Sequence, residues 1–264
     1  MNEKIESLIF KAIENIIKNS SSKSKISHLE KKHVVKIHFI PKRYRIFGGL
    51  LQSMNIQFGN FIEELMSLLI ENEKDYEIIE KYSGKKSNSF VLSQTSESLI
   101  DKYISDCQLN PDGYCNLEFP KLQKQILNDK GVNKNTFKHD IDLLFKNKKT
   151  GNFYYLEIKY NDDHDTGKFV DINRKFIKTY AYLTDELKIK NTEELIPILF
   201  FFNNKKMKGN LYLPEKTNIR RGESFFDEFL SIKYKELNSF MGKLSESSQT
   251  IKMFEELHKK ICIS

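Results

Sequence analysis

Apolar residues recur at helical spacing over residues 1–19. Ile5, Leu8, Ile9, Ala12, Ile13, Ile16 and Ile17 share one stripe there and predict an amphipathic helix. The polar run Ser20 to Ser27 reads as a loop, and His33 to Ile40 as a strand stopped by Pro41. From Gly59 to Asn72 a strong helix is expected, with Phe61, Ile62, Leu65, Leu68 and Leu69 on its apolar side, followed by a loop over 81–89. Leu99 to Cys107 and Phe119 to Leu127 read as helices, separated by the turn composition of Asn110 to Tyr114. Two apolar strands are expected over 141–146 and 153–160. A helix over Asp165 to Leu183 follows, capped by Asp165 or Thr166 and burying Phe169, Phe176, Ile177 and Tyr180. Ile196 to Phe202 reads as a further strand, and the tail from Glu223 to Ile261 is mostly amphipathic helix.

The order helix, strand, strand, helix, strand predicts an α/β core, a central sheet with helices on its faces. No internal repeat is visible. The chain reads as one domain over 1–264. It has an N-terminal helix and strand over 1–58, a core over 59–213 and a C-terminal helical part over 214–264.

Composition adds a core and a charge. The 264 residues include 20 Phe and 12 Tyr, enough for a sizeable apolar interior, while charged residues make up 30%. Lys and Arg outnumber Asp and Glu by 43 to 36, and this excess points to an anionic partner, nucleic acid being the commonest. The three cysteines, Cys107, Cys115 and Cys262, fit no paired framework and no zinc spacing, so free thiols and a reducing cytoplasm are expected. Glu3, Glu6 and Glu14 interrupt the apolar positions of the N-terminus, which excludes a signal peptide, and no apolar run is long enough for a membrane helix.

Candidate chemistry gathers in HDIDLLFKNKKTGNFYYLEIKYN, His139 to Asn161. Side chains alternate across a strand, so Glu157 and Lys159 face one way, and Tyr154, Leu156 and Ile158 the other. A two-residue turn at Lys149-Thr150 would set position 142 opposite 157 and bring two carboxylates together. Close like charges require a cation between them. Mg²⁺ suits oxygen ligands and keeps positions for water and phosphate. Asp142, Glu157 and the Ile158 carbonyl are the expected metal ligands. Lys159 is expected to orient the attacking water and to offset charge on the phosphate, with in-line attack and a 3′ oxygen leaving. Asp142 is preferred to Asp140 because it runs into Leu143, Leu144 and Phe145, whereas Asp140 lies nearer the loop. The plain rival is a surface hairpin with a solvated Glu-x-Lys. This is therefore the pattern of a metal-dependent nuclease site.

The Asp142, Glu157-x-Lys159 arrangement resembles the PD-(D/E)xK nuclease superfamily, without its proline. The longer runs Glu157 to Ala181 and Phe201 to Gly222 are similar to type II restriction endonucleases of the HinfI kind, a resemblance that extends over roughly Arg43 to Leu237. It implies a restriction-endonuclease-like core, a mixed central sheet flanked by helices with extra N- and C-terminal helices. It further implies a homodimer cutting short palindromic duplex sites with Mg²⁺, a partner methyltransferase in the same cell, and a target like GANTC. In that superfamily a glutamate from an N-terminal helix often supports the site. Glu63 in GNFIEELM fits that pattern, with Glu64 as its alternative and a solvated helix acid as the rival.

Candidate DNA contacts lie around the hairpin. Arg45, beside Arg43, can meet phosphate or solvate a loop. Lys168, Arg174 and Lys175, with Lys178, lie on or beside the polar face of the helix after Lys159. Asn203, Asn204, Lys205, Lys206 and Lys208 form a polar run leaving a strand end, offering amides for base edges and lysines for phosphate. Arg220 and Arg221 are further candidates, and solvated charge is the rival for each. Asp162 to Asp165 reads as a loop leading into a capped helix rather than a second metal site, with His164 placed to touch DNA. Three functions compete: a sequence-specific endonuclease, a structure-specific or repair nuclease, and a catalytically silent DNA-binding module.

Overall fold

A computed structural model describes residues 3–86, 88–110, 113–132, 134–162, 166–206 and 212–263. The chain forms two compact units, Leu65–Ser231 on the one hand and Met1–Glu64 with Ile232–Ser264 on the other.

The first unit joins the two ends of the chain. It holds α1 (Glu3–Ser20), α2 (Lys23–Val34), most of α3 (Lys42–Glu71), α9 (Tyr234–Ser245), α10 (Ser248–His258) and a π-helical turn over Lys259–Ile263. Ile17, Leu29, Ile46, Leu50, Met54 and Leu257 bury one another at its centre. Gly49 matters to that packing, because a Cβ there would lie 3.0 Å from Leu29 Cδ2.

Three expectations are corrected in this unit. His33 to Ile40 is not a strand: α2 continues through Val34, and Val35, Ile37 and Phe39 are exposed without a neighbouring strand. Apolar residues make a strand only where a partner edge takes their hydrogen bonds. The polar run from Ser20 forms helix from Lys23 onward, leaving only Ser21 and Ser22 between α1 and α2. The helix expected from Gly59 begins at Lys42, its three internal glycines being outweighed by the buried stripe of Ile46, Leu50 and Met54.

The larger unit is built on a five-stranded sheet in the order β1-β4-β5-β6-β7. These strands are Tyr76–Ile78, Leu143–Asn147, Phe153–Lys159, Leu195–Phe201 and Ile219–Arg221. β1, β4 and β5 run antiparallel, while β5, β6 and β7 are parallel, so the sheet is mixed. β2 (Ser89–Ser93) and β3 (Lys134–Lys138) pair as a separate ribbon. α4 (Gln94–Leu109), α5 (Tyr114–Leu127) and α6 (Thr166–Glu186) cover one face, where Tyr155 stacks on Phe176. α8 (Gly222–Phe229), after the short α7 (Glu215–Asn218), covers the other, with Phe229 edge-on to Phe145 and Tyr154. The expected α/β architecture with a mixed, helix-flanked sheet is present.

The β4–β5 hairpin pairs Leu143 with Leu156 and Phe145 with Tyr154, the register read from the sequence. Its turn is four residues rather than two. Asn147 and Asn152 still pair, Gly151 N donates to Asn147 O at 2.9 Å, and Gly151 takes φ +80°, which a glycine adopts without strain. Because the longer turn has the same centre, the register is unchanged.

Candidate active site

Asp142 immediately precedes β4, and its Oδ2 accepts a 2.7 Å hydrogen bond from Ile158 N. The carboxylate is thereby tied to the end of β5. Glu157 lies on the α6 side of β5 after Tyr155 and is only 6% exposed. Tyr155 Oη donates to Glu157 Oε2 at 3.4 Å. Lys159, next on the same face, donates from Nζ to Glu157 Oε1 at 2.7 Å and to the Ile158 carbonyl at 3.0 Å, and stands 3.6 Å from Asp142 Oδ2. The strand thus carries Glu157 and Lys159 to one face of the sheet at the C-terminal end of β5, and the hairpin brings Asp142 to them.

The electrostatics follow from burial. Removal from water, and then the neighbouring Glu157 carboxylate, push Asp142 up to about 6, against the opposing pull of Lys159. Two carboxylates, the Ile158 carbonyl and no sulfur make a hard donor set of the kind Mg²⁺ takes. Among the described residues no three His, Cys, Asp or Glu side chains gather to hold an ion. The residues present fit such an ion, and the repulsion between Asp142 and Glu157 is what it would relieve.

His139 was missed by strand alternation, because it precedes β4 and belongs to no strand face. Its Nε2 is 3.7 Å from Glu157 Oε1, and its Nδ1 pairs with Thr179 Oγ1 of α6 at 2.9 Å. Burial holds its pKa below the ordinary histidine value. Asp140 points elsewhere, accepting from the backbone N–H groups of Lys86 at 3.2 Å and Asn88 at 3.3 Å.

The remaining candidates lie on several elements. Glu63 lies on α3 within the first unit and is half-buried, while Glu64 is exposed. Arg45, in the same unit, donates from Nη1 to Lys36 O at 3.1 Å. On α6, Lys168 is exposed, Arg174 Nε pairs with Asp101 at 2.8 Å and Lys175 with Asp171 at 2.9 Å. Beyond β6, the Asn203 amide donates to Tyr160 O at 3.1 Å, and Asn204 Oδ1 accepts from Glu223 N at 3.2 Å. Lys205 is exposed, and Lys206 lies 3.3 Å from Glu215. His164 and Lys208 fall outside the described residues.

Arg220 and Arg221 are drawn into the fold rather than presented on a loop. Arg220 pairs with Glu228 and caps carbonyls of α7. Arg221 is held 2.7 Å from the fully buried Asp162 and 2.9 Å from Glu215, with its guanidinium over the Phe201 ring at 4.9 Å. Asp162 therefore has a structural partner, and Asp163 and Asp165 fall outside the described residues.

A family model described as "Type II restriction endonuclease, HinfI" matches residues 1–245. The chain is 61% identical over 261 residues to a curated protein of Haemophilus influenzae, "Type II restriction enzyme HinfI", an alignment that takes in 99% of this chain and 98% of that protein. No solved structure matches the chain.

Proposed function

The chain belongs to the HinfI family of type II restriction endonucleases, site-specific nucleases of double-stranded DNA, and we propose that Asp142, Glu157 and Lys159 are the residues with which it hydrolyses the phosphodiester bond. The observation that carries this reading is the approach of Lys159 Nζ to both acids, 2.7 Å from Glu157 Oε1 and 3.6 Å from Asp142 Oδ2. Type II restriction endonucleases generally use a divalent metal, and the oxygen donor set favours Mg²⁺ held by Asp142, Glu157 and the Ile158 carbonyl. When bound, that ion polarises a phosphate oxygen and lowers the pKa of water.

The protein's own groups do the rest. Glu157 Oε1 aims the Lys159 ammonium, which orients the attacking water and balances charge growing on the phosphate. The Ile158 N–H keeps the Asp142 carboxylate turned toward Glu157. Attack proceeds in line, with the 3′ oxygen leaving. His139, against Glu157 and Thr179, restrains the glutamate from the α6 side. Lys168, Lys175 and Lys205, exposed on the larger unit, are the proposed phosphate contacts. Relatedness to the Haemophilus enzyme supports a GANTC-like target, a homodimer matching a two-fold site and a protecting methyltransferase in the same cell.

Lys159→Ala tests the site. It should abolish the discrete fragments that plasmid yields with Mg²⁺, while Ca²⁺-supported binding of the duplex is kept. Full cleavage by that variant would overturn the assignment.

A further inference from the structure

The chain's basic charge is not spread over its surface. Lys23 to Arg45 contains eight Lys and Arg residues and one acid, Glu30, a net +7 equal to that of the whole protein. The other residues are therefore balanced, and the excess cation resides in α2, the segment after it and the start of α3. Three of the six histidines, His28, His33 and His38, fall in the same stretch.

In the first unit these side chains line a cavity of about 580 Å³ between α2 and α3. Lys25, His28 and Lys32, at helical spacing, come from one face of α2. Lys36 and His38 come from the segment that follows, and Arg45 from α3. Among the described residues no acidic side chain lines it, and Lys25, Lys32 and Lys36 have no carboxylate partner. Arg45 Nε and His33 Nδ1 are buried without a hydrogen-bond partner. The floor is open at Gly48, where an added Cβ would meet nothing within 4 Å, whereas Gly49 beside it lets Leu29 close the helix pair. Concentrated cation with no internal acid is unfavourable by itself and is complemented by a line of phosphates.

We infer that the α2–α3 groove of the first unit is a second DNA-binding surface, which holds the phosphate backbone of the duplex without regard to sequence. This rests on the duplex substrate of the family but not on the catalytic assignment. A failed groove would leave cleavage by Asp142, Glu157 and Lys159 intact, and a failed trio would leave binding intact. Phosphate contacts position a duplex and carry no base information. The groove therefore adds affinity equally to target and non-target DNA.

The test is fluorescence anisotropy of the full chain on a labelled duplex lacking any GANTC-like site, across a salt series without Mg²⁺. Lys25→Gln, Lys32→Gln and Lys36→Gln combined should make the slope of log affinity against log salt shallower by roughly 2 to 3, about 0.9 for each phosphate that is no longer neutralised. Lys→Arg at the same three positions should keep the wild-type slope. Gly48→Glu sets a carboxylate on the groove floor where there is room for it, and should weaken binding at every salt concentration with the thermal midpoint unchanged. A wild-type slope in the Gln variant would overturn the inference, as would an equal loss in the Arg variant. A Gln variant that alters sedimentation and not the slope would assign the groove to a second copy of the chain and would overturn it too.

Discussion

Burial and then Glu157 work against the charge of Asp142, while Lys159, the Ile158 N–H and His139 favour it. A carboxyl whose folded-state pKa lies above its unfolded value favours the fold in its protonated form. That contribution is complete below about pH 4 and lost as pH rises through about 6. Metal-free protein should therefore lose thermal stability relative to Asp142→Asn between those limits, by no more than about 3 kcal/mol. A divalent ion, which binds the ionised pair, should restore it. Calorimetry of both proteins from pH 4 to 7, with and without Ca²⁺, reads this directly. A stability difference that stays flat across that range, or that Ca²⁺ leaves untouched, would sink the idea that Asp142 is a strained ligand awaiting a cation.

At the scale of elements, the hairpin was legible because two local rules sufficed. Alternation assigned Glu157 and Lys159 to one face, and the symmetry of the turn set Leu143 against Leu156 whatever its length. Where long-range partners decide, local pattern failed. His33 to Ile40 has strand-like residues but no edge to pair with, and β1, β2, β3 and β7 are short segments defined by their neighbours rather than by their own sequence. The basic groove was visible as charge but not as a surface. Lys25, His28 and Lys32 align only if Lys23–Val34 is a helix, and a loop-and-strand reading scatters them. His139 and the ion pairs of Arg221 escaped for a related reason, since burial is invisible in a residue's own identity. The Arg221 case has a measurable consequence. Its side chain is 11% exposed and faces Asp162 at 0%, so Arg221→Ala leaves a carboxylate inside the fold without its guanidinium. The expected loss is about 3 kcal/mol in urea unfolding, and Arg221→Lys should recover only part of it because one ammonium cannot serve Asp162 and Glu215 together. A loss under about 1 kcal/mol would mark the pair as solvent-screened and overturn its structural role.

At the scale of the whole molecule, the described residues bring together one Asp142, Glu157 and Lys159 set in each chain, whereas duplex DNA presents two strands of opposite polarity. On the proposed assignment a single set cuts one strand per encounter. In the proposed homodimer a two-fold pair of chains on a two-fold site would place one set at each scissile bond, so that each strand would be cut by the chain that faces it. This arrangement separates the strands chemically even while binding is shared. A dimer of one wild-type chain and one Lys159→Ala chain, isolated with two different affinity tags, should therefore bind like the wild type in Ca²⁺. In Mg²⁺ it should convert a single-site plasmid to the open circle and stop there within one turnover. Linear product formed by the mixed dimer at the wild-type rate would show that one chain serves both strands, and the pairing of chain to strand would have to be abandoned.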